Sequence, residues 1–149
     1  MLLTEEMKGI VARHSIGFVA TVNADGTPNL SPKGTMVALD DDRILFGEIR
    51  SPGTLRNIRA NPSIEINFLD IFIRKAVRIK GTAMVITKGS SEFAALRHHF
   101  DRWGELAELI RNFIEVEVRS AAVVTTPAYD LGATEDELSA RWKDYYSGL

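Results

Sequence analysis

A chain of 149 residues, 45% of them apolar, with a formal charge of −2, reads as one domain able to bury roughly two-thirds of its unfolded surface. The near-neutral balance gives no general attraction to nucleic acid or to an anionic membrane. The lack of cysteine excludes disulfides and thiolate metal sites, and the three histidines have no zinc-ligand spacing, so no metal is expected.

The N-terminal run Met1-Leu2-Leu3-Thr4-Glu5-Glu6 has early acids and too short an apolar stretch for a signal peptide, and no segment is long enough to cross a bilayer. The expectation is a soluble, cytoplasmic protein. Thr4 offers a helix N-cap with Glu5 and Glu6 in the first turn, and this helix is expected to run to about residue 13. Ile16, Phe18, Ala20 and Val22 alternate with Gly17, Val19 and Thr21, which predicts a strand. Asp25-Gly26 marks a turn. A second strand is expected over about 29–39, although Pro32 sits inside it. A proline lacks the ladder donor, so this segment is an edge, a bulge, or a place where something other than a strand lies alongside. Asp40-Asp41-Asp42 makes the next turn, and a third strand is expected over about 43–48.

The stretch from Gly47 to Pro62 then reads as a strand end leading into a short helix. Ser51 offers a cap oxygen, Pro52 suits the first helical position, and Pro62 ends the helix. The start of such a helix is rich in free backbone N–H groups. Gly53 lets a ligand approach the backbone, Ser51 and Thr54 carry hydroxyls, and Arg50 and Arg56 add positive charge. That combination suits a phosphate, and it also suits an ordinary capped helix with solvated arginines.

Ile64, Ile66 and Phe68 alternate with polar residues in a fourth strand, followed by an apolar connection, Asp70-Ile71-Phe72-Ile73, that is a candidate contact surface. A fifth strand, about 74–87, places Val77, Ile79, Ala83 and Val85 on one face. Gly81 in its middle predicts a bulge or a close approach. Ser90 or Ser91 opens a helical stretch with Phe93, Leu96, Phe100 and Trp103 on one face, broken near Gly104 and continued by Leu106, Leu109 and Ile110. A sixth strand is expected over about 113–125. Thr134-Glu135-Asp136-Glu137 is a capping box opening a last helix that carries Leu138, Trp142 and Tyr145. Short alternating strands on tight turns predict a mainly β fold, a six-stranded antiparallel barrel with peripheral helices.

No nucleophile elbow surrounds any serine. His14 lies at a helix end and His98-His99 on a helix face, positions that suit structural or surface roles. Glu115 and Glu117 share a strand face, and the acidic turn at Asp40 is a hairpin tip; solvation explains both. No hydrolase chemistry is indicated and no catalytic residue is named.

The run from Gly17 to Thr35, the strand Ile44-Leu45-Phe46, the stretch from Arg50 to Pro62, and Val77-Arg78-Ile79-Lys80-Gly81-Thr82-Ala83 resemble, in that order, the pyridoxamine 5'-phosphate oxidase-like, FMN-binding split-barrel family. The resemblance implies a split barrel that forms a homodimer with FMN at the subunit interface. The flavin would lie along Ser31, Pro32, Lys33, Gly34 and Thr35, which would account for the proline. Gly47 and Glu48, with Arg50, Ser51, Gly53, Thr54 and Arg56, would hold the ribityl chain and phosphate. Arg74 and Lys75 would come from the partner subunit; Trp103 and Trp142 would take core or dimer-contact roles, or reach across as well. Where oxidases of this family place an Arg-Lys pair, this chain has Gly53 and Thr54, and Arg50, Arg56 or Lys33 would supply the charge. The oxidases' C-terminal substrate segment is not recognisable here, so vitamin B6 is not assigned as substrate. The implied function is an FMN-dependent oxidoreductase using a small-molecule substrate or electron donor. The alternatives are a non-catalytic FMN-binding or electron-carrier protein, or a deazaflavin-dependent reductase, with haem the least favoured.

Overall fold

The computed structural model describes residues 2–149; Met1, the first residue of the N-terminal run read above, lies outside the described residues. In chain order the elements are α1 (Glu5–His14), β1 (Gly17–Val22), β2 (Pro28–Lys33), β3 (Met36–Ala38), β4 (Arg43–Glu48), α2 (Pro52–Ala60), β5 (Ser63–Asp70) and β6 (Lys75–Thr87). There follow α3 (Ser91–Leu96), a 3-10 helix (Arg97–Trp103), α4 (Glu105–Glu108), β7 (Asn112–Thr125) and α5 (Glu135–Ser147). The local signals act as their chemistry requires. Thr4 accepts from the Met7 amide, Ser90 accepts from the Phe93 amide, and Thr134 and Glu137 form the reciprocal capping box.

All seven strands lie in one antiparallel sheet, in the order β2-β1-β5-β6-β7-β4-β3. The count exceeds the expected six because the predicted second strand is two strands. β2 pairs with β1 at one edge of the sheet, and β3 pairs with β4 at the other. Only Gly34 and Thr35 separate them, so the two edges must come close, and the sheet curls into a split barrel. Pro32 is tolerated because β2 is an edge strand.

The barrel interior is filled by Val19, Ile44, Phe46, Ile66, Phe68, Val77, Ile79, Ile114 and Val116, and Leu3, just before α1, joins Met7, Ile10 and Val11 of α1 in the same core. A second core lies on the outer side of β4, β6 and β7, where Phe93, Phe100 and Phe113 stack with ring centroids 4.2 and 4.5 Å apart. Trp103 packs against this second core. Leu106 and Leu109 stay exposed, unlike Ile110, so α4 covers less of the core than its apolar spacing suggests. Gly81 meets both halves of its expectation. The β6–β7 register shifts between Lys80 and Gly81, and a Cβ at position 81 would meet the Glu117 carbonyl oxygen at 2.5 Å. Among the described residues no helix is long and apolar enough to cross a membrane.

The connection after β5 is tied down by Asp70. Its Oδ1 accepts from the Phe72 and Ile73 amides at 3.0 and 3.2 Å, and its Oδ2 lies 2.9 Å from His14 Nε2 and 3.5 Å from Arg13. Burial raises the Asp70 pKa, but the hydrogen bonds from His14, Ile73 and Phe72 outweigh it and hold the carboxyl below the ordinary carboxylate value. A folded-state pKa below the unfolded one means stability that is present above the unfolded value and lost as pH falls through the folded one. We therefore expect Asp70→Asn to cost about 2 kcal/mol near neutral pH. The deficit relative to the native chain should shrink as the pH is lowered through the carboxylate range, as read from urea melts at several pH values.

Candidate functional site

β2 alternates strictly, with Pro28, Leu30 and Pro32 outward and Asn29, Ser31 and Lys33 half-buried on the other side. This polar row runs towards the start of α2. A Cβ placed on Gly53 would lie 3.7 Å from both the Asn29 amide nitrogen and the Arg56 guanidinium. The Lys33 ammonium donates to Ser31 Oγ at 2.7 Å. Burial pushes the Lys33 pKa below the ordinary lysine value, and the nearby Glu48 charge opposes the shift. Thr35, next along the chain, donates its hydroxyl to the Gly47 carbonyl at 3.0 Å, while the Gly47 amide donates to the Thr35 carbonyl at 3.2 Å. A side chain at Gly47 would collide with Ile110 at 2.5 Å, so glycine keeps this junction closed.

Glu48, at the end of β4, is the central group, with only 2% of its surface exposed. Its Oε1 accepts from the Ser51 amide at 2.8 Å and its Oε2 from Asn112 Nδ2 at 3.1 Å. The structure thus revises the expected cap: Ser51 makes no side-chain cap hydrogen bond, and a carboxylate three residues earlier meets its amide instead. An anion is the better partner for the positive end of the helix. This leaves a definite set of donors. Pro52 has no N–H, the Leu55 amide is used by the Ser51 carbonyl, and the Gly53 and Thr54 amides have no acceptor among the described residues. Thr54 is 3% exposed, and its hydroxyl also lacks a hydrogen-bond partner among the described residues. Arg50 and Arg56 are exposed on either side of this start, and neither pairs with an acid among the described residues.

The structure therefore brings Ser31, Lys33, Thr35, Gly47, Glu48, Ser51, Gly53, Thr54 and Arg56 into one neighbourhood, with Pro32 and Gly34 at its exposed rim. Arg74 and Lys75 make their contacts elsewhere. Lys75 lies 2.6 Å from both Glu135 and Glu6, whose hydrogen bonds raise its pKa above the ordinary lysine value. Arg74 stacks on Trp142. Sequence reasoning missed Asn29 and Asn112. The spacing of Asn29, Ser31 and Lys33 at every second residue carried a signal for the first; Asn112 reaches Glu48 from 64 residues away and carried none.

No group of residues able to hold a metal occurs among the described residues. The arrangement can accept an anion at the α2 start and a flat polar group along the β2 row. Glu48→Ala would strand the Asn112 amide and remove the acceptor for Ser51. It should cost about 2 kcal/mol in a urea melt, while Glu48→Gln, which keeps an acceptor for Ser51, costs less.

A family model described as Pyridoxamine 5'-phosphate oxidase matches residues 3–127. HupZ of Group A Streptococcus is similar in structure, with 30% identity, a TM-score of 0.71, and coverage of 84% of this chain and 96% of that one. An FMN-binding protein from Syntrophomonas wolfei is 12% identical, with a TM-score of 0.65 over 80% of this chain and 84% of that one. HutZ, the heme storage protein of Vibrio cholerae, is 22% identical, with a TM-score of 0.61 over 84% of this chain and 95% of that one. At those identities the last two show likeness of fold. No protein of curated function matches the chain. With the family model spanning the chain from α1 to the end of the sheet, the protein belongs to the pyridoxamine 5'-phosphate oxidase family.

Proposed function

We propose that this protein binds FMN as a homodimer and acts as an oxidoreductase on a small molecule. One observation carries the reading: the α2 start presents two unused amides, at Gly53 and Thr54, beside an unpartnered Thr54 hydroxyl and the Arg56 guanidinium. These residues fit a phosphate without the Arg-Lys pair of the oxidases. Arg56, with Arg50 at the rim, would supply the charge. Ser31, Lys33, Gly34 and Thr35 would hold the ring, with Pro32 at its edge, and Gly47 and Glu48 would border the ribityl chain.

Bound flavin supplies the hydride chemistry, so the protein's tasks are binding, orientation and electrostatics. Lys33 and the backbone near Gly34 would stabilise negative charge on the ring's pyrimidine side. Glu48 would keep the α2 start and Lys33 in place. None of His14, His98 and His99 is among the residues gathered here. His14 is engaged with Asp70, and His98 and His99 pack on one another at 4.0 Å, so the gathered residues include no axial histidine for haem.

Support for a second copy comes from the outer face of β2, β1, β5 and β6. There Phe18, Leu30 and Leu69 are exposed and share with Ala76 a concavity of about 520 Å³. In such a dimer Arg74 and Lys75 would approach the partner's cofactor.

The absorbance spectrum of the purified protein with added FMN, together with its mass by gel filtration, tests the reading. Flavin bands that co-elute with a dimer are expected, and Arg56→Ala should weaken FMN binding about tenfold. A chain that refuses FMN overturns the assignment, and binding of a deazaflavin in its place would favour the reductase alternative.

A further inference from the structure

Arg74 is distinguished among the described cations by its backbone and by its buried, unpartnered Nε. Its φ of 55° is left-handed, a region that side chains avoid, and Ser15 is the only other described non-glycine residue there. Its Nε is buried without a hydrogen-bond partner. Its guanidinium carbon lies 3.6 Å from the centre of the Trp142 ring and 5.8 Å from that of Tyr146, yet no carboxylate pairs with it among the described residues. The neighbouring acids are committed elsewhere: Asp70 to the 72–73 amides, His14 and Arg13, and Glu6 and Glu135 to Lys75. Lys143, 5.7 Å from the Phe72 ring, likewise lacks an acid partner among the described residues. Phe72 meets Tyr146 at 6.2 Å, and Tyr146 meets Trp142 at 6.3 Å. Two unneutralised cations therefore flank one aromatic cluster.

An arginine stacked face-on against an indole keeps its in-plane N–H fork available, and that fork matches two oxygens of a phosphate or carboxylate. A backbone held in an unfavoured region by the surrounding structure is a mark of pre-organisation. Trp142 belongs to α5, which begins after the residues matched by the family model. We propose that Arg74 is an oxyanion-binding arginine, taking a phosphate or carboxylate on its free N–H fork, and that Trp142 is the positioning residue that aims it. The oxyanion has two possible sources, a free small acid or phosphate, or the FMN phosphate of a second copy; the latter rests on the function proposed above.

The test uses the full chain carrying Trp103→Phe, so that Trp142 is the sole tryptophan. Its emission is titrated with inorganic phosphate, against potassium chloride of equal ionic strength, and FMN affinity is measured alongside. A saturable response to phosphate but not to chloride is expected, absent in Arg74→Gln and weakened in Arg74→Lys. Near-UV circular dichroism establishes that these variants are folded. In the chain that keeps Trp103, calorimetry with phosphate should show about a fivefold loss in Trp142→Ala, the scale of one cation–π contact, and recovery in Trp142→Phe. Loss of FMN affinity in Arg74→Gln supports the partner's cofactor as the source, and unchanged FMN affinity with a lost phosphate response supports the free anion. Phosphate binding at Arg74 in a chain that refuses FMN would uphold this site while overturning the proposed function. Tight FMN binding with neither response dependent on Arg74 would overturn this site alone.

Discussion

The buried carboxylate of Glu48 is the constraint on which the candidate site depends. A charge with 2% exposure must be met by donors or it opposes folding. Its partners come from separate stretches of the chain: the Ser51 amide before α2, the Asn112 side chain at the start of β7, and the nearby Lys33 charge at the end of β2. Satisfying that one group fixes the junction of strand and helix. It also decides what is left over. Because Glu48 takes the Ser51 amide and Pro52 has none, the free donors at the α2 start are those of Gly53 and Thr54.

Closure of the sheet supplies the other half of the candidate site. β2 and β3 lie at opposite edges of the sheet but only two residues apart in the chain, so the edges are drawn together without pairing along their length. Asn29, Ser31 and Lys33 line β2 on its half-buried side, where Asn29 approaches Gly53 of α2. The barrel core behind them is apolar and the outer core of stacked phenylalanines braces β4, β6 and β7, so the polar row rests on a rigid frame. The alternate residues of the same edge strand, Leu30 and Pro32, lie on the exposed apolar face with Phe18.

Most of the elements were legible because their signals are local. The Thr4 cap, the Thr134–Glu137 box, the alternation in β1 and β5, and the Gly81 bulge each depend on residues close in sequence. What escaped depends on residues far apart. The break of the long second strand into β2 and β3 follows from closure of the barrel, which no window around Gly34 reveals. Ser51 reads as a cap from its own residue type, whereas its amide is met by the Glu48 carboxylate, which is also held by Asn112. The site residues on β2 and α2 converge in space, whereas Arg74 is drawn to α5 by Trp142, a partner 68 residues later whose aromatic spacing gave no hint of what it would stack against.

A phosphate gripped at the α2 start is what the proposed FMN site requires. Comparing the affinities of FMN and riboflavin, which share the ring and ribityl chain and differ in that group, tests it most directly. FMN should bind at least about tenfold more tightly, the difference should narrow as salt is raised, and Arg56→Ala should remove most of it. Equal affinity for the two, unchanged by salt or by Arg56→Ala, would contradict it.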